Sequence, residues 1–96
     1  MNHYEIIIIL LGIIIKRKID LKMNKKQRVE VGHRIKIIRV SLKDGSVTQH
    51  DMAKILGIKQ AAISKLEKGM IEPTPDHLLK LSKISGKSID WILRGD

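Results

Sequence analysis

Five residues within a nine-residue stretch carry groups that suit the reading of base edges. Placed at about 100° per residue, Gln60, Ala61, Ser64, Lys65 and Lys68 share one side of a helix and spread over about 140° of its circumference. Ala62, Ile63 and Leu66 fall on the opposite, apolar side. A Gln amide bonds adenine N6 and N7 in a bidentate way, and a Lys ammonium reaches guanine O6 or N7. The methyl of Ala61 suits packing on a thymine methyl. Amphipathicity alone describes many ordinary surface helices, so the flanking elements decide what this one is for.

Those flanks are short, punctuated helices. Thr48 is a helix N-cap with Asp51 three residues later as a capping-box partner. Met52, Ala53 and Leu56 then form the apolar face of a short helix that Gly57 ends. The helix bearing Gln60 follows over about 60–68 and is stopped by Gly69. Two helices of this size around a tight turn form a helix-turn-helix layout, in which the second helix enters the major groove of DNA. Ala53 is small enough for close approach, and Ile58 and Ile63 are placed to fill the angle between the helices.

The rest of the chain supplies a scaffold. Ile35, Ile38 and Leu42 predict a helix over about 26–42, broken by Asp44, Gly45 and Ser46. Thr74 and Pro75 read as N-cap and first helical residue, with Asp76 favourable to the helix dipole. Leu78, Leu81 and Ile84 give that helix its face, and Gly86 closes it. Ser88 caps a last helix carrying Ile89, Trp91, Ile92 and Leu93. The fold class expected is all-α, a compact five-helix DNA-binding domain over 29–96.

Composition narrows the chemistry. The chain has 96 residues and a formal charge of +9, with no Cys, no Phe, one Trp and one Tyr. A disulfide scaffold, a Cys-ligated zinc site and a thiol nucleophile are excluded. A base-stacking single-strand platform would need more aromatics. His3, His33, His50 and His77 lack ligand spacing, so no metal site is expected. No Ser–His–Asp set, paired carboxylates or Gly-rich phosphate loop is discernible, so neither catalysis nor a cofactor is expected. The basic balance points to a polyanion.

Residues 1–28 differ from the remainder. An apolar run over 6–15 precedes the cluster Lys16, Arg17, Lys18, Lys22, Lys25, Lys26 and Arg28, so this extension carries +5 of the net charge. The run is shorter than the roughly 20 apolar residues of a membrane span, and its basic cluster follows it rather than preceding it as in a secretory signal. Three readings stay open: translated sequence upstream of a start at Met23, a membrane anchor, and a strand or dimer arm.

In the order and spacing of RIKIIR (34–39), TQHDMAKILGI (48–58), AAISKLEKG (61–69) and PTPDHLLKLSKISGKSIDWILRG (73–95), the chain resembles the Cro and phage-repressor type of helix-turn-helix protein, the Xre-like family. The resemblance covers about residues 30–95. It implies a five-helix DNA-binding domain, dimeric on two-fold symmetric operators. It further implies that Gln60, Ala61, Ser64 and Lys65 face bases, that Gln49, Lys59 and Lys68 meet phosphates, and that Arg39 and Glu67 form a structural ion pair. Two departures stand out. The 43–47 loop is about three residues longer than usual, and Lys59 replaces the common Ser or Thr cap, a loss of about 1 kcal/mol.

The function expected is sequence-specific binding of double-stranded DNA by a cytoplasmic, nucleoid-associated transcriptional regulator, a repressor acting as a homodimer. With only Gly95 and Asp96 after the last helix, a minimal, Cro-sized protein is expected. The same residues leave room for an antitoxin-type regulator that also binds a toxin, and for a protein-interaction module on the same fold. A membrane partner is the least favoured.

Overall fold

A computed structural model describes residues 22–96 together with His3, Ile6 and Ile7. The rest of the apolar run and Lys16, Arg17 and Lys18 lie outside the described residues. Residues 22–96 form five α-helices: α1 (Lys25–Ser41), α2 (Gln49–Leu56), α3 (Gln60–Glu67), α4 (Pro75–Ser85) and α5 (Ile89–Arg94). A 3₁₀ turn, Leu42–Gly45, joins α1 to α2.

Local chemistry sets the helix starts. The Thr48 hydroxyl accepts from the Asp51 N–H at 3.1 Å, and the Thr48 N–H donates to the Asp51 carboxylate at 3.0 Å. The bond from the Thr48 N–H, and next the Thr48 hydroxyl, hold the Asp51 carboxyl below its ordinary range. Asn24 with Gln27 and Thr74 with His77 close the same reciprocal box at α1 and α4. Ser88 caps α5 by accepting from the Trp91 N–H. Of these five helices, α3 alone starts without a side-chain acceptor, at Lys59.

Among the described residues, twelve apolar side chains form the core: Val31, Ile35, Ile38, Val47, Met52, Ala53, Leu56, Ile63, Leu66, Leu78, Leu81 and Ile92. At roughly 1.5–3 kcal/mol for each large side chain removed from water, this cluster dominates the cohesion of the bundle. Ile58, Ile89, Trp91 and Leu93 pack against it at the margin. Ile84, read from the sequence as part of the α4 face, lies largely outside the core at 37 % exposure. The core stripe of α1 runs through Val31, Ile35 and Ile38, with Leu42 at its edge.

The folded unit starts earlier than residue 29. Met23 packs against the core, Asn24 caps α1, and the Arg28 guanidinium donates to the carbonyls of Met23 at 2.8 Å and Gly69 at 3.0 Å. Residues 23–28, grouped with the extension on charge, are therefore structurally part of the bundle. The helix itself begins at Lys25, beside the start at about 26 that its periodicity predicts.

In the longer 43–47 loop, Lys43 and Asp44 take left-handed φ values of 46° and 56°, followed by Gly45 at 85°. Three consecutive left-handed residues reverse the chain within the connector and let Val47 enter the core at 4 % exposure.

Candidate nucleic-acid interface

The turn between α2 and α3 is built on one glycine. Gly57 takes φ 70° and ψ 33°, and the Ile58 N–H reaches back to the Ala53 carbonyl at 3.0 Å while the Gly57 N–H bonds Lys54 at 3.3 Å. This is a Schellman closure, which satisfies the last carbonyls of α2 and redirects the chain into α3. Gly69 ends α3 in the same way, with Met70 N–H to Lys65 at 2.9 Å and Gly69 N–H to Leu66 at 3.1 Å. Helix α3 is thus bounded by glycines that take conformations a side chain would resist.

Within α3, Ile63 and Leu66 are buried, Ala62 is half-buried, and Gln60, Ala61 and Lys65 are exposed. Ser64 is half-buried on the same outward side, and Lys59 and Lys68 are exposed at the two ends. The side chains of Gln60, Ser64, Lys59, Lys65 and Lys68 make no hydrogen bond or ion pair with another described residue. Their donors and acceptors are available to an incoming partner.

A polar cluster fixes α3 to its neighbours. Arg39 on α1 grips Glu67 at the end of α3 through two bonds, Nε to Oε2 at 2.7 Å and Nη2 to Oε1 at 3.0 Å. Its Nη1 donates to the Val47 carbonyl at 3.0 Å, ahead of α2. The hydrogen bond to Glu67 raises the pKa of Arg39, against a lowering by burial, so the cation is held firmly. Glu67 Oε1 also accepts from Gln49 Nε2 at 3.2 Å. One carboxylate therefore ties together α1, the start of α2 and the end of α3. Gln49 keeps its second amide N–H for an external acceptor.

The sequence signalled several of these residues but not how they connect. The bond from Gln49 to Glu67, the bond from Arg28 to the Gly69 carbonyl, and the bond from Arg34 to the Ile92 carbonyl at 3.1 Å are all long-range and leave no periodic trace. Gly32 did leave one, as a glycine inside a helical pattern that costs about 1 kcal/mol relative to Ala and so calls for a reason. Among the described residues no group of three His, Asp or Glu is placed to hold a metal ion, and no helix is long and apolar enough to cross a membrane.

Two short helices at a glycine turn, the second presenting an unpaired polar face and the whole set in a five-helix bundle, define a helix-turn-helix domain of the phage-repressor kind. The chain belongs to the helix-turn-helix family HTH_3 (Xre-like), whose profile matches residues 35–92. It is 40 % identical over 70 residues to the HTH-type transcriptional regulator DicA of Escherichia coli (strain K12), covering 73 % of this chain and 50 % of that one. It is 38 % identical over 66 residues to repressor protein C2 of Salmonella phage P22, covering 69 % of this chain and 29 % of that one. The chain spans about half or less of the length of these two relatives. Among solved structures it is similar to the P22 c2 repressor crystallised in complex with synthetic operator 9T, with a TM-score of 0.60 and 38 % identity over 69 % of this chain and 96 % of that one.

Proposed function

We propose that this chain is a sequence-specific double-stranded DNA-binding transcriptional regulator, and that it represses by occlusion as a dimer. The observation that carries the reading is the outward face of α3, whose amide, hydroxyl and ammonium groups have no partner among the described residues while its other face is locked in the core. Similarity to a repressor crystallised on an operator supports the same reading. In this arrangement Gln60, Ala61, Ser64 and Lys65 face base edges and supply sequence choice. Gln49, Lys59 and Lys68 meet phosphates and supply register and much of the affinity. A dimer lays two copies of α3 into successive major grooves about 34 Å apart and blocks polymerase. The DNA-binding unit begins at Met23.

The test is selection from a random duplex library with the full chain at two salt concentrations. Enrichment of a two-fold symmetric site is the expected result and yields the half-site spacing. Binding without enrichment would reduce the protein to a non-specific DNA coater. A folded chain that binds no duplex would overturn the reading and favour a protein partner.

A further inference from the structure

We infer that α1 is itself part of the DNA-binding surface, through Lys25 and Lys36, which contact phosphates on either side of the point where α1 crosses the end of α3. The inference rests on the DNA-binding reading above and extends it to residues outside the two-helix unit.

Lys25, Arg28, Gly32, Lys36 and Arg39 follow one another at intervals of three and four residues, so they form a single stripe along α1. Three of the five positions touch α3 or its terminus. Arg28 Nε donates to the Gly69 carbonyl at 3.0 Å, a Cβ on Gly32 would meet the Glu67 carbonyl oxygen at 2.9 Å, and Arg39 grips the Glu67 carboxylate. The stripe therefore faces α3, and α1 crosses that helix at its C-terminal end. The two arginines are consumed by bonds within the protein. Both lysines are exposed and make no hydrogen bond or ion pair with another described residue.

The charge of these lysines is also uncompensated along the helix. Their neighbours three and four residues away within α1 are Arg28, Val29, Gly32, His33, Arg39 and Val40, none of them acidic. By contrast, Lys80 pairs with Asp76 at 3.1 Å and Arg94 with Asp90 at 3.1 Å, each one helical turn away. When the N-terminal residues of a reading helix enter the groove, its C-terminal end is left by the sugar–phosphate rim. Lys36 lies one turn before Arg39, which is joined through Glu67 to Gln49, and Lys25 lies one turn before Arg28, which is joined to Gly69 beside Lys68. Each lysine is thus continuous with a residue already assigned to a phosphate. Eleven residues of helix place the two about 16 Å apart, so they meet different phosphates.

The experiment titrates the full chain and its Lys25→Ala, Lys36→Ala and Lys36→Arg variants against the duplex enriched by the wild type and a shuffled duplex of equal length. Between 50 and 200 mM salt, each alanine variant is expected to lower the slope of log affinity against log salt by about 0.9, which over that range is roughly 3.5-fold. The change should be the same on both duplexes, with the enriched sequence and the melting temperature unaltered and Lys36→Arg at the wild-type slope. Wild-type slopes in both alanine variants, in a protein that still selects its site, would overturn this inference alone. A folded wild-type chain that binds neither duplex would overturn it together with the reading on which it rests.

Discussion

Gly32 of α1 and Glu67 of α3 meet backbone to backbone: a methyl group on the Gly32 α-carbon would stand 2.9 Å from the Glu67 carbonyl oxygen and closer still to that of Leu66. Neither oxygen can move without shifting α3, because both belong to the helix whose outer face carries Gln60 and Lys65. The contact sets the depth at which α3 sits on its support.

Gly32→Ala is therefore expected to destabilise the protein although it places a better helix former in α1. The gain in propensity is about 1 kcal/mol, and overpacking against a fixed backbone costs typically 1–3 kcal/mol. A lower urea midpoint with an unchanged slope would bear this out, and a higher midpoint would show that α3 has room to retreat.

Removing the Glu67 carboxylate should cost more. Its side chain is 4 % exposed and that of Arg39 13 %, so Glu67→Ala strands a largely buried guanidinium at about 3 kcal/mol. Arg39→Met combined with Glu67→Met should recover much of the loss. Chemical denaturation of the two single variants and the double variant checks the coupling, and additive losses would contradict it.

Lys65→Ala should relax sequence preference at one base position at roughly 1–3 kcal/mol, whereas Lys59→Ala should weaken binding to every duplex and flatten the salt slope by about one. Binding measured on the enriched site and its single-base variants separates the two. Equal effects of both substitutions on all duplexes would refute the division of roles.

Asp51 gives stability a pH dependence of definite sign. Its carboxyl is held below its ordinary value in the fold by the bonds from Thr48, so the contribution is present above the unfolded value of about 3.9 and is lost as pH falls through the lower folded value. Asp51→Asn should remove that part of the acid transition. Thr48→Ala should cost about 1 kcal/mol near neutral pH. Thermal melts between pH 2 and pH 6 read both.

The helix-turn-helix unit was legible because its signals are local. Thr48 and Asp51 stand three apart, Gly57 and Gly69 punctuate, and Ile63 and Leu66 share a face, all within reach of a periodic pattern. The supports were harder to read. Arg39 and Glu67 are 28 residues apart in sequence and Arg28 and Gly69 are 41 apart, and only the resemblance to relatives suggested the first pair. The start of α1 was legible to within a residue, whereas the boundary at 29 was drawn on charge alone and so cut into that helix. Ile84 failed as a core residue because α4 meets the rest of the bundle through Leu78 and Leu81, leaving the third residue of the stripe beyond the end of contact.

The left-handed pair Lys43 and Asp44 has a consequence for how the domain could be taken apart. Helix α1 is attached to the rest of the protein by Arg28 at Gly69, by the close seat of Gly32, by Arg39 at Glu67 and Val47, and by the apolar side chains beneath them. None of these depends on the peptide bond that follows Lys43, an exposed residue in a 3₁₀ turn that buries no residue fully. A protease that cuts after lysine would nick the chain there and leave two fragments that remain complementary. The contacts on either side of that bond hold the parts together, and a split protein joined only by its own interface should still assemble.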